Sequence, residues 1–226
     1  MRLLFITATR IGDVVLSTGI LDHLIRTHPG ARVTVACGPA CTGLFAHLPG
    51  LDRVIAMQKR PAALHWLSLW RECIATRWDL AVDLRGSALT GLVRARRRIV
   101  RRGGRRGGRK GMHRIAELGG LLGLDPPPLP VVWTSAGERE AALRHIPPGG
   151  PVIGLGPTAN WPGKVWPSDR FAALFQALAQ APLVGARAAI FAGPGAAERD
   201  AAEAVIRALP AASVIDLAGR LSLTEA

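Results

Sequence analysis

Apolar positions along this 226-residue chain follow two alternating periods. Short apolar or β-branched runs such as RLLFIT (2–7) and RVTVAC (32–37) read as strands. Between them the apolar residues return every three to four positions. In VVLSTGILDHLIRTH these are Val14, Val15, Ile20, Leu21, Leu24 and Ile25, close to the 3.6-residue period of an amphipathic helix, and Pro29 with Gly30 ends it. The same pattern predicts a short helix ending near 47, strands at 53–57 and 79–85, and helices at 63–75, about 87–93 and 113–124. A weak strand, RIV, lies at 98–100. Strands that alternate with helices predict a parallel sheet wound by helices, so the fold class is α/β.

The pattern breaks at LDPPPLPVVW (124–133), where three consecutive prolines exclude helix and favour an extended connector. A helix over 136–146 follows, and then a second α/β series: strand 152–155, helix 167–180, strand 187–193, helix 196–209 and strand 214–219. Two α/β domains are expected, 1–129 and 130–226. The second is partial, with three strands and two flanking helices where the sequence ends, which leaves its sheet an uncovered edge.

Composition narrows the classes. No apolar run approaches the roughly 18 residues that span a bilayer. The start MRLLFITATRIGD lacks the long apolar stretch and cleavage site of a signal peptide, so a cytoplasmic chain is expected. Cys37, Cys41 and Cys73 are odd in number and read as reduced thiols. The six histidines are scattered without metal-ligand spacing, and no metal is expected. The net charge of +13 is concentrated in RARRRIVRRGGRRGGRK (94–110). No aromatic residue interleaves with these arginines, which removes a stacking platform for bases, and nucleic acid is not expected as a partner. An anionic membrane surface or a solvated loop remains.

Chemistry is expected in the loops that follow strands, at the carboxyl edge of the sheets. In TRIGDVVLS, Gly12 precedes helical amides that suit a phosphate, although the glycine spacing is not that of a dinucleotide loop. Asp13 is either the helix N-cap or a general base that activates a hydroxyl nucleophile. In DLRGS, Asp83 and Arg85 either contact an acceptor or pair locally. In GPTANWPGKVWP (156–167), Lys164 is a point cation near Thr158 that suits a diphosphate, and Trp161 and Trp166 either pack beside a base or sugar or, the commoner outcome, anchor the loop. FAGPGAAERD (191–200) is a second glycine-rich turn ahead of a helix.

RIGDVVLSTGILDHLIRTHPGARVTV together with DLAVDLRG and GLGPTANWPGKVWPSDRFAALFQAL resembles glycosyltransferase family 9, the lipopolysaccharide heptosyltransferases, across essentially the whole chain. The resemblance implies a GT-B fold, two Rossmann-like domains with an interdomain cleft. It implies transfer of heptose from ADP-heptose to the lipopolysaccharide inner core, with inversion and without a metal or other cofactor. Asp13 then matches the family's catalytic base, Lys164 and Thr158 its donor diphosphate contacts, and Arg10 a neighbour of the acceptor's anionic group. Residues 94–110 become a peripheral contact with the anionic inner membrane. The family's Asp-Ser-Gly motif has no counterpart here, so a C-terminally truncated chain of weak or no activity is expected. The alternative is a non-catalytic remnant that binds a sugar nucleotide or an anionic lipid.

Overall fold

The computed structural model describes residues 1–58, 64–101, 112–159 and 161–226. The chain divides into two compact units, Met1–Thr134 and Ser135–Ala226.

The first unit opens with β1 (Arg2–Ile6) and α1 (Ile11–Thr27), then β2 (Arg32–Cys37), a 3-10 turn at Pro39–Phe45 and β3 (Leu51–Ala56). It continues through α2 (Leu64–Ile74), β4 (Trp78–Asp83), α3 (Leu89–Leu92), β5 (Ala95–Val100) and α4 (Arg114–Gly120). All five strands are parallel, in the order β3-β2-β1-β4-β5. Leu4 and Ile6 of β1 pack with Leu69 and Cys73 of α2 and with Leu89 beside them. Leu3 and Phe5, both fully buried, alternate to the opposite face. A right-handed crossover from β1 to β2 puts α1 on that second face, and α4, which follows β5, packs against α1.

Two differences from the pattern have clear physical reasons. The strand expected over three residues, RIV, is six residues long, because β5 is an edge strand and its arginines face solvent. Charged residues suit an edge, since they oppose pairing with another chain. Arg98 also donates to the carbonyl oxygens of Thr90 and Val93, closing the end of α3. The division between units falls after Thr134, beyond the expected 129/130, because the proline segment packs back on α1. Thr18 Oγ1 accepts a hydrogen bond from the Val131 amide at 2.9 Å, and the backbone of Pro128 and Leu129 lies directly over Gly19. A Cβ at Gly19 would stand 2.6 Å from the Pro128 carbonyl oxygen. Trp133 completes the strap against Phe45, with ring centroids 6.4 Å apart. The basic stretch beyond Arg101 lies outside the described residues.

The second unit holds α5 (Ala136–Arg144), β6 (Val152–Leu155), α6 (Ser168–Gln180), β7 (Arg187–Ile190), α7 (Ala196–Ala208) and β8 (Val214–Asp216). Its sheet is parallel in the order β6-β7-β8. Ser135 and Glu138 form a reciprocal capping box at the start of α5. Phe171 and Phe175 of α6 meet Ala202 and Val205 of α7 around Ala188 and Ile190 of β7. Among the described residues no helix is long and apolar enough to cross a membrane.

Candidate functional site

The strand order places a switch point between β1 and β4. The chain leaves β1 toward β2 on one side and leaves β4 toward β5 on the other, so the two outgoing loops diverge. Such a crevice at the carboxyl ends of parallel strands is where open α/β sheets bind ligands.

A cavity of about 400 Å³ occupies this position. Its charged lining comes from Arg10 and Asp13 after β1, Arg85 after β4, Arg101 after β5, and Arg114 at the start of α4. Asp13 is the single carboxylate among these lining residues. The helix begins at Ile11, so Asp13 is its third residue and not the N-cap, one of the two roles the sequence left open. The N-cap is Arg10, which makes no capping side-chain bond. Asp13 is solvent-exposed, and nothing lies within 4 Å of a Cβ built on Gly12.

Asp83 requires a correction. It is fully buried, and both of its oxygens are occupied. Oδ1 accepts from the backbone amides of Arg85 and Gly86 at 2.8 and 3.0 Å. Oδ2 accepts from the Ser87 amide at 2.8 Å and from the hydroxyls of Ser87 and Thr90 at 2.5 Å each. A carboxylate so saturated has no lone pair to offer an acceptor; its work is to tie down the loop that carries Arg85. Gly86 turns this loop at a φ of +66°, with its Cα against the Arg101 carbonyl oxygen, where a side chain has no room.

Arg85 also lines a second, mostly apolar cavity of about 680 Å³ between α2 and α3, where its guanidinium carbon sits 5.0 Å from the centroid of the Trp66 ring. The sequence pattern did not single out Arg101 and Arg114. Arg101 was submerged in the basic run, and only the β4–β5 register, with the Arg101 amide bonded to the Asp83 carbonyl oxygen, puts it at the carboxyl edge. Arg114 enters only because α4 returns beneath α1.

In the second unit, β6 leads into the loop 156–167. Thr158 is half-buried and Lys164 is exposed. A 3-10 turn at Pro162–Lys164, closed by the Lys164 amide on the Trp161 carbonyl oxygen at 3.0 Å, was not expected from sequence. Among the described residues Lys164 makes no ion pair. Trp166 packs edge-on against Phe171 of α6 with centroids 5.2 Å apart, so it anchors the loop to the core. Trp161 is 59% exposed and its indole covers Gly163, where a Cβ would come within 2.7 Å of the ring. At the other glycine-rich turn, the Glu198 carboxylate occupies the space beside Gly193 and Gly195 at the start of α7, which disfavours a phosphate there.

Among the described residues no cluster of His, Cys, Asp and Glu is arranged to hold a metal ion. The three cysteines are free and buried. Burial pushes the Cys37 thiol up to about 12, with Cys41 adding to it, and the Cys73 thiol up to about 11.

Two α/β units, each built on a parallel sheet, are the architecture of the GT-B fold class. Residues 111–226 match glycosyltransferase family 9 (heptosyltransferase), and the chain belongs to that family. Solved structures agree on the fold. A family 9 glycosyl transferase from Veillonella parvula DSM 2008 superposes with a TM-score of 0.78 at 18% identity, over 99% of this chain and 70% of that one. The ADP-heptose lps heptosyltransferase II of E. coli gives 0.67 at 21% identity, over 100% and 75%. E. coli heptosyltransferase WaaC, solved with ADP, gives 0.67 at 18% identity, over 99% and 76%. No curated protein sequence matches the chain significantly.

Proposed function

We propose that this glycosyltransferase moves heptose, or a closely related sugar, from an ADP-linked donor to the inner core of lipopolysaccharide, inverting the anomeric centre. Family membership supports the reaction class, and the E. coli structures of the same fold are named for ADP-heptose and lipopolysaccharide. The observation that carries the reading is Asp13, an exposed carboxylate in a cavity whose other charged lining residues are arginines, at the switch point of the first sheet.

In this scheme the Asp13 carboxylate removes the proton from an acceptor hydroxyl. The oxygen forms its bond to the anomeric carbon from the face opposite the leaving group, and the bond from that carbon to the diphosphate breaks. ADP departs with the electron pair. Lys164 neutralises its charge as a point cation, with Thr158 beside it. Arg10 and Arg85 hold an anionic group of the acceptor near the base. No metal or other cofactor takes part in the proposed step. The enzyme acts in the cytoplasm at the surface of the inner membrane, and exposed Arg94, Arg96 and Arg97 favour contact with anionic lipid.

The test pairs transfer with donor binding. The chain is assayed for sugar transfer from ADP-heptose to a lipopolysaccharide inner-core acceptor, and ADP binding is measured by calorimetry. Asp13→Asn is expected to lower turnover by about two to four orders of magnitude while leaving ADP affinity unchanged. Lys164→Ala is expected to weaken ADP binding. Retained turnover in Asp13→Asn removes it as the base, and ADP binding without any transfer replaces catalysis with a binding role.

A further inference from the structure

Glu117 of α4 is not itself a lining residue of the Asp13 cavity, yet it holds two that are. Its Oε1 accepts from Arg101 Nε at 2.7 Å and its Oε2 from Arg114 at 2.8 Å. The three side chains are largely withdrawn from solvent, at 12% exposure for Arg101, 17% for Glu117 and 28% for Arg114.

Stability alone does not account for this triad. A buried ion pair is often matched or exceeded in stability by apolar residues of similar volume, since both charges lose their hydration. Two guanidinium groups facing one cavity also repel each other. A shared carboxylate offsets that repulsion and fixes two long side chains that otherwise sample many rotamers.

The donors that remain point the same way. An arginine has five N–H donors and no acceptor. Arg101 spends its Nε on Glu117, which leaves its terminal nitrogens for other partners. The Arg114 Nε is buried and has no hydrogen-bond partner among the described residues. A buried donor without a partner is costly, so Arg114 is held in this place at some cost to stability.

We infer that Glu117 is a positioning residue, which clamps Arg101 and Arg114 as a paired cation for an oxyanion, phosphate or carboxylate, on the acceptor. Arg10 and Arg85 line the same cavity, so it takes an acceptor that carries its negative charge next to the reacting hydroxyl. This rests on reading the Asp13 cavity as the acceptor site. Glu117 does not touch the substrate. It acts through the two arginines, and its loss is felt in acceptor recognition.

The full chain, with Glu117→Gln and Glu117→Asp beside it, is tested in two ways. In steady-state transfer, Glu117→Gln is expected to raise the acceptor KM about tenfold, the scale of one charged hydrogen bond. Its kcat is expected to stay within about twofold and its donor KM unchanged, the pattern of lost ground-state binding. Glu117→Asp recovers part of the loss. Acceptors carrying a phosphate or a carboxylate beside the hydroxyl identify which oxyanion is preferred.

The second measurement needs no turnover. Inorganic phosphate is titrated while the arginine Nε–H signals are followed by NMR. Phosphate is expected to shift the Arg101 and Arg114 signals in the wild type and to bind Glu117→Gln about tenfold more weakly. Equal phosphate affinity in the two, or a Glu117→Gln variant that transfers with an unaltered acceptor KM, overturns the clamp while leaving the transferase reading intact. Phosphate binding at these arginines without any transfer by the wild type does the reverse. If kcat and both KM values worsen together with a lower unfolding temperature, Glu117 is structural only.

Discussion

The Thr90 hydroxyl donates to Asp83 Oδ2 at 2.5 Å beneath the loop that carries Arg85. Both residues are fully buried, so the carboxylate cannot exchange this partner for water. Asp83→Ala therefore strands three backbone amides and two hydroxyls. The expected loss is about 3 kcal/mol or more, read from the denaturant midpoint of the first unit. Asp83→Asn is expected to be nearly as damaging, because its NH2 group would face amide donors. An unchanged midpoint in both variants would mean that the loop holds itself.

Gly19 is small because the proline strap crosses α1 there. In Gly19→Ala the new Cβ meets the carbonyl oxygens of Pro128 and Leu129, and neither belongs to a flexible side chain. Destabilisation of about 1–3 kcal/mol is expected, together with faster proteolysis within residues 126–133. Gly12→Ala, whose Cβ enters open space, is the control and should leave the strap protected.

The cysteines should be inert while the protein is folded. Only the thiolate attacks a disulfide reagent, and burial raises the thiols of Cys37, Cys41 and Cys73 above the ordinary thiol value. At about pH 8 the native protein is expected to react slowly with such a reagent and to release all three thiols only on denaturation. Rapid labelling of the native chain would place at least one of them at the surface.

Acid should loosen the arginine clamp. Burial by itself raises the Glu117 carboxyl, but hydrogen bonds from Arg101 and Arg114, with their charges, outweigh it and hold the group below the ordinary glutamate range. Unfolding returns it to about 4.3. Its stabilising contribution is therefore complete above that value and is lost as pH falls through the lower folded value. The wild-type midpoint is expected to fall more steeply below about pH 4 than that of Glu117→Gln. Parallel curves would show that the pairing does not depend on the carboxylate charge.

Local periodicity was enough to predict the alternating elements, because a buried strand and an amphipathic helix each write their own spacing into the chain. It placed α1, α6 and α7 well, and it placed Arg10, Arg85 and Lys164 on loops that leave strands, whereas Asp13, expected in such a loop, is the third residue of α1. The 3-10 turn at Pro162–Lys164 was not legible, since glycine and proline stop a helix without saying which turn replaces it.

By itself the sequence determined the α/β class and the family motifs, which depend on residue order alone. The tertiary structure decided which charges meet. Arg85, Arg101 and Arg114 lie far apart in the chain, and only the parallel register and the return of α4 beneath α1 bring them around Asp13. It also separated Asp83 from Asp13, two carboxylates in similar strand-to-helix contexts. One is sealed under a loop whose amides consume its lone pairs, while the other stands in the first turn of α1 and keeps its oxygens open to a ligand. Burial and hydrogen-bond saturation arise from packing, and no spacing rule encodes them.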